Sequence, residues 1–440
     1  MRLSRSNFVS GAQAALAFAL LGGVAGITVA PAAALAKEKE APKPSYSKEF
    51  VAAAGPIQKT LTTAGAAKAK GITDANLRAT LGNAAAELAA AEAVVKTSQD
   101  RIAAGQFAVQ LGGWLEDSKM RKRGIKNMLD SGLLEADKVP LSNFYLGYFS
   151  YAENDWPGAV DALTKAVQGN VAENAAAEML ADAYAQQGKG AEGLTALRMA
   201  VDVRKAAGSA VPSAWYKRAQ VIAYKGKLGP QAIEWSLLQV AAEPTAINFL
   251  GAGQLVREFS TFGKEESLDL GRLFLRTGAL EESPKVVERE YIEYIESADP
   301  RRLPGEVLKI TEAAIAKGVL KPGDMFVSDA LSQSKGRVAA DQASLPALER
   351  DAKTAANGKT AQAAGDAFLS YGEAAKAEEM YATAIAKGGI DQDRTLTRLG
   401  IAQVDSGKFA EAQATFAKVT GIRAPLAKLW AIHAASKAGS

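Results

Sequence analysis

What most constrains this chain is a step of 34 residues. Gly147 and Ala181, Ala159 and Gly193, and Leu163 and Leu197 each stand 34 positions apart, and Ala166-Val167 meets Ala200-Val201 at the same distance. Nearer the C-terminus the step is 35, linking Gly365 to Gly400, Gly372 to Gly407, Ala377 to Ala412 and Tyr381 to Phe416. A repeat of that length, holding two apolar stretches of helical spacing and a glycine turn, is one helical hairpin. A hairpin cannot bury its apolar face alone, so neighbouring copies must stack. The composition agrees: hydrophobic residues make up 48% of the chain and aromatics only 7%, so the apolar content is aliphatic and alanine-heavy. That favours helix over strand. Strand signals are scarce, and the expected class is all-α.

Taken residue by residue, the pattern resembles the tetratricopeptide repeat family, with its W-x2-L-G-x2-Y, then A-x3-F and a closing Pro. The first hairpin offers Leu146-Gly147 and Ala159, with Asn143, Ser150 and Leu163 in the places of Trp, Tyr and Phe. The second offers Leu180, Tyr184 and Leu197, with Ala181 and Gly193 as small substitutes. The third has Trp215, Ala219, Ala232 and the closing Pro244. Its Trp215-to-Ala232 step is 17, against 16 for Asn143-to-Ala159 and Ala177-to-Gly193, which predicts one inserted residue in the turn near Gly229-Pro230. The fourth has Gly365, Phe368, Ala377 and Tyr381, and the fifth Leu399-Gly400, Ala412 and Phe416.

The resemblance implies an α-solenoid of helical hairpins. Three would occupy 140–244, degenerate or lengthened ones 245–357, and two more 358–440, where a last helix around Leu426 to Lys437 would cover the exposed end. Within the middle stretch, Ser283-Pro284 should open a helix that stops before Asp299-Pro300. Another is expected from about Pro304 to Lys317. Ahead of the repeats, 59–139 reads as an Ala-rich helical segment, punctuated at Gly71, Gly105, Gly124 and Gly132.

Residues 1–36 read as an address. Arg2 and Arg5 precede an apolar stretch from Val9 to Ala30, then Pro31, then Ala34-Leu35-Ala36, the small-x-small pattern read by signal peptidase. Cleavage after Ala36 would place the chain in the periplasm. A retained anchor is the other reading of a stretch ~20 residues long, but Gly22, Gly23, Ala25 and Gly26 weaken it. Residues 37–58, opening on Lys37 to Glu40 with Pro42 and Pro44 behind, read as a flexible charged arm. No integral membrane span is expected after processing. The net charge of 52 − 48 = +4 requires no nucleic-acid partner. The basic run Lys119, Arg121, Lys122, Arg123 and Lys126 is the candidate for peripheral contact with an anionic envelope surface.

Reactive chemistry finds little footing. The chain has no Cys and one His, which removes cysteine nucleophiles, disulfides and two-histidine metal motifs. Gly188-x-Gly190-x-x-Gly193 spells a dinucleotide fingerprint, yet it follows a helix rather than a strand and coincides with the repeat turn. Gly358-Lys359-Thr360 ends like a phosphate loop, but Lys353 stands where the first Gly belongs. Ser45-x-x-Lys48 and Ser332-x-x-Lys335 lack the companion motifs of serine–lysine enzymes. Glu288, Glu290, Glu293 and Glu296 share one helix with Arg289 and read as a solvated face. His433 reads as a surface or packing residue. No cofactor and no catalytic residue is expected.

One constellation stands above this background. Phe144, Tyr148 and Tyr151 are spaced 4 and 3, so they share a helix face. Glu178 and Asp182 follow 34 residues after Phe144 and Tyr148, and Tyr216, Gln220 and Tyr224 occupy the corresponding face of the third hairpin. In the family this face of the first helix lines a concave groove that takes peptides. The resemblance thus implies aromatic walls around an acidic centre, suited to a basic protein or peptide segment. The expected function is a non-catalytic periplasmic scaffold in envelope assembly or secretion. The alternative is an envelope protein that binds or processes carbohydrate, with tyrosines stacking on sugar rings.

Overall fold

A turn shared by five of the hairpins underlies the repeat step. In the computed structural model, which describes residues 45–171, 173 and 175–439, Asn154, Gly188, Lys227, Gly372 and Gly407 all take positive φ, between 53° and 78°. The residue after each donates its amide to a carbonyl five positions back: Asp155 to Ser150 at 2.9 Å, Lys189 to Tyr184 at 3.0 Å, Leu228 to Ala223 at 2.8 Å, Glu373 to Phe368 at 2.9 Å and Lys408 to Gln403 at 2.8 Å. A left-handed residue placed there satisfies carbonyls that the ending helix would otherwise leave unpaired. Five positions beyond each turn residue stands a buried small one, namely Ala159, Gly193, Ala232, Ala377 and Ala412.

That constancy corrects the insertion expected near Gly229-Pro230. The third turn is no longer than the others. Eleven positions before the turn residue stand Asn143, Ala177 and Tyr216, so Tyr216, not Trp215, occupies the first conserved place. Register on the face shifts with it: Phe144, Tyr148 and Tyr151 correspond to Lys217, Val221 and Tyr224. Tyr216 and Gln220 leave that face and Tyr224 stays.

The chain divides into two compact units, residues 1–218 and 219–440. The first is built of α1 (Lys48–Ala69), α2 (Asp74–Leu81), α3 (Ala84–Glu92), α4 (Ser98–Trp114), α5 (Ser118–Asp130), α6 (Val139–Ala152), α7 (Trp156–Gln168), α8 (Ala175–Gln186) and α9 (Gly190–Ala206), and it ends inside α10 (Ser213–Lys225). Helices α4 and α5, α6 and α7, and α8 and α9 pack as antiparallel pairs. The signal segment 1–36 and residues 37–44 of the expected arm lie outside the described residues. The rest of that arm is not an arm. Phe50, Ala54, Ile57 and Leu61 form a buried helical stripe along α1. Ser47 fixes its start, accepting from the Phe50 amide at 3.3 Å and donating from its own amide and hydroxyl to Asp100 at 3.0 and 2.8 Å.

Gly71 and Gly132 do close helices, at φ 81° and 70°. Gly105 and Gly124 instead lie inside α4 and α5, where the two helices cross. A Cβ on Gly105 would stand 2.6 Å from the Gly124 carbonyl oxygen, and one on Gly124 would stand 2.7 Å from that of Gly105. These glycines permit close backbone approach, not a turn.

The second unit continues through α11 (Gly229–Ala242), α12 (Ala246–Glu258), α13 (Lys264–Arg276), α14 (Pro284–Ala298), α15 (Pro304–Ala316), α16 (Met325–Thr354), α17 (Lys359–Ser370), α18 (Ala374–Lys387), α19 (Gln392–Asp405), α20 (Phe409–Phe416) and α21 (Ala424–Ala438). Hairpins persist through 245–357, as α13 with α14 and α15 with α16. The same device recurs in the pairs α17/α18 and α19/α20: a Cβ on Gly365 would meet the Tyr381 ring at 2.6 Å and one on Gly400 the Phe416 ring at 2.4 Å. The last helix does not serve as an end cover. It packs on α19 and α20 and also on α11, α12 and α13, and both Leu426 and Trp430 are fully buried. Within this unit the chain returns on its own start, which removes the exposed end a cover would need. Glu290, expected on a solvated face, is also buried, and it accepts from Arg257 at 2.6 and 3.0 Å and from Gln254 at 2.9 Å.

Charge fills the middle of this unit. Asp269, wholly buried, accepts from Arg398 at 3.0 Å, Arg423 at 2.8 Å and Arg272 at 3.2 Å. Arg272 also grips Glu306 at 2.6 and 2.8 Å, and Arg398 reaches Asp366 at 2.7 Å. Four helices and the short turn before α21 are thereby fastened to one another.

Candidate binding site

Helix α6 is apolar almost all round, and the structure buries most of the face chosen from sequence. Phe144 is 2% exposed, Tyr148 8% and Tyr216 1%. All three are core residues; around Phe144 and Tyr148, α5 and the following hairpin cover the side that an open groove would leave to solvent. Tyr151 is half-buried, donates its hydroxyl to Asp182 and stands edge-on to Trp156 at 5.3 Å. The acidic centre is occupied from within: Arg218 donates to Glu178 at 3.2 Å and to Asp182 at 3.0 Å, with all three side chains near 12% exposed. Burial still raises the Glu178 carboxyl above its ordinary pKa, and Arg218 offsets only part of that. Gln220 donates to Gln239. Tyr224 alone stands largely in water, 53% exposed, with its ring edge-on to Phe259 at 5.9 Å.

The basic run resolves in a way the sequence reading did not anticipate. Lys122 pairs with Glu153 at 2.7 Å and Asp155 at 3.4 Å, Arg123 with Glu92 at 3.0 Å, and Lys126 with Asp130 at 2.6 Å. Arg121 turns inward. It is 7% exposed, its stem lies against Gly112 of α4, and its guanidinium sits over the Phe149 ring at 5.3 Å. Its Nε is sealed from solvent with no hydrogen-bond partner among the described residues.

Two phenols share this place. Tyr145 and Tyr148, three residues apart on α6, are 3% and 8% exposed. Rings interlock around them: Phe144 on Tyr145 at 5.2 Å and Tyr148 on Phe149 at 5.5 Å. Burial pushes both phenols up in pKa, Glu173 adds to this at Tyr145, and the Arg121 guanidinium opposes it at both. Burial likewise lowers the pKa of Arg121, with Tyr145 and Tyr148 acting in the other direction. One cation and two phenols therefore act on one another, and among the described residues no carboxylate hydrogen-bonds to any of the three. The sequence held a signal for this. Arg121, Gly124, Ile125 and Met128 are spaced 3, 1 and 3, the stripe of an inward helix face.

No family model and no curated relative matches the chain. Solved structures similar to it at a low level include two of human IFIT1. The human IFIT1 dimer with m7Gppp-AAAA is 14% identical over 78% of this chain and 78% of that one, with a TM-score of 0.23. The human IFIT1 dimer with PPP-AAAA is 12% identical over 87% of this chain and 86% of that one, with a TM-score of 0.22. Likeness at that level carries no argument about this chain. By its own geometry the chain is an all-α protein of tetratricopeptide-like helical hairpins.

Proposed function

We propose that this chain is a non-catalytic binding scaffold whose partner is a protein or peptide segment. The observation that carries the reading is the convergence of Arg121, Tyr145 and Tyr148 in a unit whose other buried charges are nearly all paired. Buried polar groups in a folded protein are almost always hydrogen-bonded internally, and departures from that rule collect at functional sites. A carbohydrate surface needs ring faces open to a sugar. Tyr148 and Tyr216 are core residues, which leaves Tyr224 as the open ring among the chosen tyrosines and disfavours the carbohydrate alternative. The test is capture from envelope extract beside sedimentation with purified cell-wall glycan. Defined proteins retained without glycan co-sedimentation are expected; the reverse would replace the scaffold with a glycan binder.

We further infer that the scaffold works in the periplasm, in envelope assembly or secretion. The support is the basic start, apolar stretch and Ala34-Leu35-Ala36 of residues 1–36. Among the described residues no helix is long and apolar enough to cross a membrane. N-terminal sequencing of exported protein should begin at Lys37. Full-length chain recovered from washed membranes would defeat the inference.

A further inference from the structure

The fold holds Arg121 at a net loss. A buried donor left unpaired is destabilising, and stacking a guanidinium over an aromatic ring returns only part of that loss. An aliphatic side chain would fill the space beside Gly112 and Phe149 without that cost. Packing does not explain the residue.

We propose that Arg121, Tyr145 and Tyr148 form the receiving site for a carboxylate carried by a peptide partner. The three groups supply what a carboxylate lacks on leaving water. A guanidinium is a planar fork that matches two carboxylate oxygens, and each phenol hydroxyl can donate one more hydrogen bond. Neither the Arg121 side chain nor the hydroxyls of Tyr145 and Tyr148 form a hydrogen bond within the described residues, so nothing has to be broken before the anion enters. Only Nε of the guanidinium is among the sealed, unpaired atoms, which leaves its terminal nitrogens toward solvent.

Charge selects a carboxylate over a phosphate. One guanidinium balances one negative charge, and the Glu173 carboxylate already acts on Tyr145. A phosphate would bring surplus negative charge into a place where desolvation is costly. Glu178 and Asp182 both pair with Arg218, whereas among the described residues no carboxylate pairs with Arg121, so Arg121 sets the charge preference of this subsite. An acidic side chain and a chain's own terminal carboxylate offer the same chemistry here.

The proposal rests on the scaffold reading only for what carries the carboxylate; the chemistry of the subsite is testable without a partner. The experiment follows the Arg121 Nε–H resonance in full-length protein during titration with sodium acetate, inorganic phosphate and sodium chloride at matched ionic strength. Acetate should give a saturable shift and chloride none. Tyr145→Phe and Tyr148→Phe, which keep the rings, should each weaken acetate roughly three-fold or more. Arg121→Lys, followed through the ring resonances of Tyr145 and Tyr148, should weaken it about ten-fold. Two short peptides then separate the sources, one blocked at both ends with an internal Glu and one of alanines with a free C-terminus. Absence of a saturable acetate shift, or an unchanged response in both Tyr→Phe variants, would overturn the proposal. So would tighter saturation by phosphate than by acetate. Acetate binding with no protein captured from extract would sink the scaffold reading alone, and capture with no acetate response would sink the subsite alone.

Discussion

Replacing Asp269 with Ala should cost the second unit ~3–5 kcal/mol. The carboxylate is wholly buried and faces three guanidiniums, those of Arg398, Arg423 and Arg272. Burial alone would raise its pKa; the three cations reverse that and hold it at about 2. Truncation would leave the arginines buried with a deficit of negative charge, although Arg398 keeps Asp366 and Arg272 keeps Glu306. Such a network is not automatically more stable than an apolar core, but removing one member is expensive because its partners cannot return to water. Asp269→Asn, which keeps an acceptor and loses the charge, should fall between wild type and Ala. Glu349→Ala makes the contrast: its bonds to Lys353 and Lys376 lie at the surface, where water screens them, and its loss should cost far less than that of Asp269. Denaturant unfolding followed through Trp430, whose indole donates to the Asp269 carbonyl at 3.2 Å, reports the event locally. Equal losses for Asp269→Ala and Glu349→Ala would show that the network does not hold the unit together. The pH dependence has a definite sign. With the folded pKa below the unfolded ~3.9, the stabilisation is complete above pH ~4 and is lost as pH falls toward 2.

The helical class and the repeat step were legible because both rest on local chemistry: apolar spacing within helices and the residue type at a turn. The slip in the third hairpin shows where that legibility ends. Four of the five turn residues are Gly or Asn, which adopt positive φ readily. The third is Lys227, which carries no turn signal, so counting began from the conspicuous Trp215 and ran one residue out of register. The glycines of α4 and α5 mislead in the opposite sense. A glycine that ends a helix and one that lets two helices touch look alike in sequence, and only the presence of the other backbone separates Gly71 from Gly105. Arg121 is legible as a charge and not as a buried one, because it belongs at once to the basic run 119–126 and to the apolar stripe of Gly124, Ile125 and Met128. The ion network lay beyond any local reading. Asp269 meets Arg398 across 129 residues and Arg423 across 154, and its closure depends on the last helix returning to the first ones of its unit.

Lowering the pH from 7 to 5 should destabilise the second unit by about 2 kcal/mol through one residue, His433. The ring is 4% exposed and wedged edge-on between Phe249 at 5.8 Å and Trp430 at 6.0 Å. Burial is the main cause that brings its pKa down to about 4; Lys437 and Arg276 add to the fall and Asp405 opposes it. A histidine freed by unfolding takes up its proton near pH 6.5, whereas the folded one stays neutral until about pH 4. Between those values the unfolded chain binds the extra proton, so stability drops as pH falls through the window and changes little above it. The chain has one His, and the lowered carboxylate of Asp269 does not titrate until well below pH 4. The window therefore belongs largely to His433. His433→Phe keeps the ring between its two aromatic neighbours and removes the proton site. Urea unfolding of both proteins at pH 7 and pH 5 decides the matter: the wild type should lose about 2 kcal/mol more than the variant on acidification. Parallel losses would mean that the folded ring takes up its proton over the same pH range as the unfolded one, so that burial between the two aromatic neighbours does not hold it neutral.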